Sequence, residues 1–534
     1  MPFDTNPHEA KAAPDGSMDT VDLEVTFDAN LPIPVLDTDN EATPPDLKPP
    51  VHLNAKFRSP LTWSTSRRSI ALFLLCMASI FSSVAASAYS PTKEAMASEW
   101  GVNRTAVLVG ITIFTTGFAF TPMILAPISE VWGRKLVFAS TGVVLVICQI
   151  CSAEAKSYSG MMAARFFAGV GCSSYSGMIG GTISDIYAPH ERNTPMTIFS
   201  GCALFGAGLG PLVSGFIVQY ASWRWVFWMQ AIANALVVVS MAAFIPETRS
   251  NVLLQRKAEA LNEWYGKQAG RASGFVVPVD GSKQSIVSRQ IRWNVKDNQG
   301  RGSIGQMIAT SVTLPFMLLF TEPVVFFFSL WATFSWSIVY ICFAAVPLVF
   351  TEIYHFNLSS ANAVFASTCV AAIIAPPISI YQERWLDRHP SPRLPLDRPE
   401  RRLYFSCVES ILLPIGLFVF GWTAREQVHW VVPALGIGLA TLGVFSVYLA
   451  VFNYLADSYH GYASSALAAQ SSCRNFIAGI LPLVTLQMYT NLGYGPASSL
   501  LGGIGLRLTA GPWVLVGFGE TIREKSRFAN KLNQ

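Results

Sequence analysis

The sequence predicts an all-α membrane protein with twelve transmembrane helices in two six-helix halves. Three observations carry that expectation. Of the 534 residues, 51% are hydrophobic and only 13% are charged, which sets aside the several soluble domains that length alone would suggest. Apolar runs of about 20 residues, the length needed to cross a hydrocarbon core of about 30 Å, recur twelve times. They are grouped as six, a polar gap, and six more.

In order, the runs lie at 69–90, 105–128, 135–152, 160–182, 195–217 and 224–245, then at 323–350, 359–381, 404–423, 430–455, 463–488 and 498–518. Residues 1–62 precede them, rich in Pro, Asp and Thr, with eleven acidic residues before position 47 and no apolar periodicity. Such a segment is expected to be a disordered cytosolic tail rather than a cleavable signal peptide, because the first apolar run starts only near Ser69. The domain plan is therefore a tail (1–62), a first bundle (63–245), a cytosolic linker (246–314), a second bundle (315–518) and a cytosolic end (519–534). Within the linker, Asn251 to Tyr265 mixes Leu with Arg, Lys and Glu and predicts an amphipathic helix at the membrane surface. The rest is dominated by Gly, Ser and basic residues.

Charge sets the orientation. With both termini in the cytosol, cytoplasmic segments hold 29 of the 37 Lys and Arg. Outward loops hold five (Lys93, Arg104, Lys156, Arg224, Arg425), and three lie within spans. The excess on one side follows the positive-inside rule, so the net charge of +4 reflects sidedness rather than nucleic-acid binding. Two glycosylation sequons, at Asn103 and Asn357, fall in outward loops. All nine cysteines lie within spans, where Cys148-x-x-Cys151 reads as helix packing and no disulfide framework is apparent. Metal-ligand clusters, nucleophile elbows and phosphate loops are missing from the sequence. That argues against an enzyme, a cofactor or ATP drive.

Three groups of residues in the first half point to a mechanism. Between runs two and three, Glu130 precedes Gly133-Arg134-Lys135 on a turn so short that its charges must lie at a membrane surface. A carboxylate and a guanidinium there can act as a conformational latch, pairing in one state and separating in another. The alternative is that the basic pair only satisfies the positive-inside rule. In run four, Arg165 is an intramembrane cation that either faces the bundle interior or snorkels to the interface. In run five, Gly201, Gly206, Gly210, Pro211 and Gly215 provide a surface for close helix approach with a bend.

These groups resemble motifs of the major facilitator superfamily: its loop between helices 2 and 3, its helix-4 arginine and its fifth-helix antiport motif. Glu130 stands for the usual Asp, Ala126 for a leading Gly, and Ser214 for a second Gly. Trp223 to Trp228, Pro246-Glu-Thr-Arg249, Leu319 to Pro323, Asn453 to Tyr459, Ala463 to Ala469, Arg474, Met488-Tyr489 and Ile522 to Ser526 narrow the likeness. Over about residues 60–530 the chain is similar to fungal twelve-helix drug:proton antiporters.

The resemblance implies the major facilitator fold, with two pseudo-symmetric bundles rocking about a midplane site. It also implies proton-coupled efflux of a small organic compound, either a secondary metabolite or a xenobiotic. Its partners are then the substrate, protons and the lipid bilayer. The protein is expected to be a monomer in the fungal plasma membrane, with the vacuolar membrane as the alternative. An uptake symporter and a non-transporting sensor of the same fold are the competing functions. Candidate proton-coupling residues are Arg165, Asp185, Glu409 and Asp457. By analogy with the fold, Tyr89, Tyr175, Trp331, Trp336, Tyr340 and Tyr448 are candidates to line the substrate cavity through stacking and cation–π contacts. No acid lies deep in helices 1, 4 or 7, so a neutral or weakly acidic substrate is favoured over a polyamine.

Overall fold

In a computed structural model, the described residues are 20–28, 31–35, 51–269, 274–277, 286–288, 290–295, 303–389, 401, 403–459 and 463–524. The first half contains α1 (Thr65–Ser87), α2 (Arg104–Trp132), α3 (Arg134–Ala153), α4 (Tyr158–Gly177, continued by Ile179–Ile186), α5 (Asn193–Tyr220) and α6 (Arg224–Phe244). The second contains α7 (Pro323–Glu352), α8 (Ala366–Arg388, preceded by Leu358–Ala363), α9 (Leu412–Thr423, preceded by Tyr404–Glu409), α10 (Val431–Tyr459), α11 (Ala463–Ile480, continued by Pro482–Leu492) and α12 (Tyr494–Glu524).

Among the described residues, ten helical segments are long and apolar enough to span a bilayer, α8 and α9 being counted together with the short helices that precede them. The expected fourth and eleventh spans are instead each in two pieces. α4 is interrupted at Met178 and α11 at Leu481, where Pro482 cannot donate a backbone N–H and the preceding Leu481–Ile477 bond is stretched to 3.4 Å.

Pseudo-symmetry shows in which helices touch. In the first half the extensive pairings are α2 with α4, α1 with α5, α3 with α4, and α3 with α6. The same pairs recur six helices later as α8–α10, α7–α11, α9–α10 and α9–α12. The halves meet along two seams, α5 against α8 and α2 against α11. The apolar window of α7 is 83% buried and that of α12 only 33%, so α7 is central while α12 faces outward toward lipid.

The tail and linker depart from expectation. Strand β1 (Thr20–Glu24) pairs in parallel with β5 (Gln290–Asn294), and β2 (Ile33–Val35) joins β3 (Gly274–Val277) and β4 (Ile286–Ser288) in an antiparallel sheet. The described part of the N-terminal segment is thus structured, although it was expected to be disordered. Its few apolar residues fold because the linker completes their core. Val25 and Leu53 pack with Ala258, Leu261, Tyr265, Phe275, Ile291 and Trp293.

The expected linker helix forms at Ser250–Gln268, but its apolar face packs on this small module rather than on the membrane. A further helix, Ile304–Thr321, opens on a Ser303–Gln306 capping box and crosses the anticipated linker–bundle boundary at 314.

Lys257 ties the module together. Its Nζ is 2.7 Å from both the Thr26 and the Phe27 carbonyls, and burial holds the ammonium below its ordinary pKa. Lys257→Met keeps the stem and removes both donors, each worth about 1.5–3 kcal/mol as a charged hydrogen bond. Amide exchange of Thr20–Glu24 should then rise by about tenfold or more, measured by hydrogen–deuterium exchange. Unchanged protection would exclude Lys257 as the clasp.

Candidate functional site

At the inner surface, Gly133 closes α2 and opens α3 with φ +98°, a conformation open to glycine. A side chain there would also collide with Glu247, whose carboxylate fills the space. Glu247 is buried and accepts from the backbone N–H groups of Arg134 (3.0 Å), Lys135 (3.3 Å), Thr248 (3.0 Å) and Arg249 (2.9 Å). It thereby caps the start of α3, where the helix dipole favours an anion.

The charges do not pair as the loop alone suggests. Arg134 Nε donates to Asp185 Oδ2 at 2.5 Å, while Glu130 is held by Arg249 Nη2 at 3.2 Å. Arg249 Nη1 also reaches Asp185 Oδ1 at 3.4 Å, so a chain of ion pairs, Glu130–Arg249–Asp185–Arg134, stands at the loop expected to act as a latch. Lys135 contributes its N–H, and its side chain is exposed. Glu247 and Arg249 are the working members that sequence reasoning missed as site residues. They were legible only as part of the Pro246-Glu-Thr-Arg249 phrase.

On α5, the glycines face two ways. A Cβ at Gly206 or Gly210 would strike the α1 backbone or Ser87. One at Gly201 or Gly215 would strike Pro376 of α8 or Asn362 just before it. Pro211 lies inside the same helix, and Ser214 donates to the Gly210 carbonyl at 2.7 Å. The row therefore joins α1 within the half to α8 across the seam.

The four proton-coupling candidates are scattered. Arg165 is buried rather than snorkelling. It donates to the carbonyls of Ala85 (2.9 Å) and Gly110 (3.4 Å) and lies over the rings of Tyr89 and Phe114. Asp185 belongs to that chain of ion pairs. Glu409 accepts from Gln382 Nε2 at 2.5 Å, an interhelical bond between the α9 and α8 segments. Asp457, at the inner end of α10, lies within electrostatic range of Arg192. Asn103 and Asn357 are exposed and act as helix N-caps, accepting from the N–H of Thr105 and Ser360.

A narrow central cavity lies between the halves. Ser82, Ala86 and Ala203 line it from the first, and Trp336, Tyr340, Tyr448 and Arg474 from the second. Three of the six aromatic candidates, Trp336, Tyr340 and Tyr448, therefore line this cavity. The other three do not. Tyr89 is fully buried with its hydroxyl on the Val107 carbonyl. Tyr175 turns toward α3 and bonds the Phe138 carbonyl, and Trp331 packs on Phe327 and Phe328. In helices apolar all round, identity and spacing do not reveal which face is central.

Contacts join the halves on both sides of the cavity. On the outer side Ser90 Oγ donates to the Phe343 carbonyl (2.7 Å) and Ser359 N–H to Gln219 (2.6 Å). On the inner side Asn453 donates to Asn193 (3.3 Å), and Phe452 packs into the first half.

Residues 75–482 match the Major Facilitator Superfamily. The efflux pump FUBT of Fusarium oxysporum is 30% identical over 456 residues, spanning 85% of this chain and 73% of that protein. The major facilitator superfamily multidrug transporter mdrA of Aspergillus fumigatus is 31% identical over 474 residues, spanning 89% and 74%. Among solved structures, the proton:xylose symporter XylE aligns with a TM-score of 0.59 at 14% identity. The alignment covers 85% of this chain and 97% of that one, and it is a likeness of fold.

Proposed function

Since this chain belongs to the major facilitator superfamily, we propose that it exports a small organic compound across a fungal plasma membrane by alternating access, driven by inward proton flow. The observation that carries this reading is the central cavity shared by both halves. Its walls are mostly apolar and aromatic, and separable contacts join the halves on each side of it. The names of the relatives, an efflux pump and a multidrug transporter, support outward transport.

The inner-surface chain of charges is the device we assign to gating. Its ion pairs run from the half-exposed Glu130–Arg249 pair to the nearly buried Arg134–Asp185 pair, so a rearrangement of the bundle has a path for exchanging them with water from the Glu130 end. Asp185 and Asp457, at the cytosolic ends of α4 and α10, are the carboxylates best placed to exchange protons with that side. Arg165 acts by its fixed charge.

The test is cellular accumulation of a panel of fluorescent compounds, with and without the protein, before and after the proton gradient is collapsed. Export predicts lower accumulation that returns to the control level when the gradient is lost. Higher accumulation in cells carrying the protein would reverse the assigned direction.

A further inference from the structure

Several arginines at the inner and outer surfaces pair with acids. Arg134 and Arg249 share Asp185 and Glu130, and Arg224 is bidentate on Glu99. The membrane interior does the opposite. Arg474 of α11 is 3% exposed, lines the cavity, and has no hydrogen-bond partner at Nε or Nη1. Its guanidinium lies over Trp336 (4.5 Å) and Tyr448 (4.8 Å), whose rings are 5.5 Å apart. Those faces offset part of the charge but accept none of the in-plane N–H groups. Arg165, 2% exposed in the other half, likewise leaves Nη2 unpaired. Both cations act electrostatically on the Tyr340 hydroxyl between them. Among the described residues, the cavity lining contains no carboxylate.

A guanidinium stays charged in a protein, so it cannot escape the cost of burial by losing its proton. Two such charges with no counter-ion, one from each half, make a site completed by a ligand. We propose that the central cavity binds an organic anion, with Arg474 receiving its carboxylate and Trp336, Tyr340, Tyr448 and Phe343 holding a flat apolar body. The free Nε and Nη1 of Arg474 lie on different edges of the guanidinium, and each leaves an N–H for an anionic acceptor such as a carboxylate oxygen. Arg165 adds long-range attraction from the opposite half, so an anion between them favours closure of the halves on each other. Organic cations are repelled by the same field. This inference rests on the export reading and narrows its substrate class.

The test uses three probes of one shape on the purified full chain in lipid nanodiscs: radiolabelled 2-naphthoate, 2-naphthamide and 2-naphthylmethylammonium, measured by equilibrium binding. Naphthoate should bind saturably and about 100-fold more tightly than the neutral amide, the scale expected for charge-assisted hydrogen bonds in a buried site, with the ammonium weakest. Arg474→Gln should abolish the preference for naphthoate over naphthamide, and Arg474→Lys should retain an intermediate preference for the anion.

Equal binding of the three probes, no naphthoate binding, or an unchanged naphthoate preference in Arg474→Gln would each overturn the proposal. If the glutamine variant fails to fold, the wild-type ranking decides. Gradient-dependent export of a neutral dye without naphthoate binding would remove the anion site and leave export standing. Naphthoate binding without gradient-dependent export would do the reverse.

Discussion

Exchanging Glu247 for alanine is expected to lower gradient-driven transport by at least about tenfold and to reduce thermal stability. The carboxylate receives four backbone N–H groups in a buried turn, and each such charged hydrogen bond is worth about 1.5–3 kcal/mol when its partner is left buried. Because the four act on one group, their losses do not add in full, and a total near 3–5 kcal/mol is the reasonable scale. Glu247→Gln keeps one acceptor oxygen and should fall between alanine and wild type. Asp185→Asn attacks the same turn from the other side by leaving Arg134 without its carboxylate. Combining Asp185→Asn with Arg134→Gln should restore part of the stability lost in the single variant. Detergent-solubilised melting curves and vesicle transport report both quantities. A Glu247→Ala protein that melts and transports like wild type would show that the turn is held by other contacts.

The second large effect concerns the α5 glycines, and it separates two roles within one motif. A Cβ at Gly206 would overlap the Ile80 carbonyl of α1, a backbone atom that cannot swing aside. Gly206→Ala should therefore separate two helices of the same half and cost about 1–3 kcal/mol or more, seen as poor yield and early melting. At Gly215 the neighbour is Asn362, 2.5 Å from the added carbon and across the seam. Gly215→Ala should leave the first half intact but push the α5–α8 seam apart. Cysteine cross-linking between α5 and α8 would then fall while the melting temperature stays near wild type. Identical behaviour of the two variants would exclude this division.

Much of the fold was legible because membrane crossing imposes a strong, local constraint: apolar runs of fixed length and charges sorted by side. The latch loop and the glycine row were legible for a related reason, since each is a contiguous pattern with a steric or electrostatic purpose. Partners were not. Glu130 looked like the mate of Arg134, whereas Arg249, more than a hundred residues later in the chain, takes it and Asp185 takes Arg134. Tyr89, Tyr175 and Trp331 illustrate a second limit, because the rotation of a helix buried on several sides leaves no trace in its periodicity. Arg474 shows a third. The sequence marks it as an intramembrane cation, but only the placement of the neighbouring helices shows that no acid meets it.

The parallel pairing of β1 with β5 also bears on how the protein is made. Thr20 meets Gln290 only after six membrane helices have been synthesised between them, about 270 residues later. The early strand must therefore wait, unpaired, at the ribosome-facing side of the membrane while the first bundle inserts. The entropy of closing so long a loop grows only slowly with its length, and the inserted bundle shortens the distance to be closed. Closure of this strand pair thus records that all six helices of the first half have crossed the membrane. A first half that left one helix uninserted would separate the two strands by a bilayer and leave Val25, Ile291 and Trp293 without a shared core, exposing apolar surface that quality-control chaperones can bind.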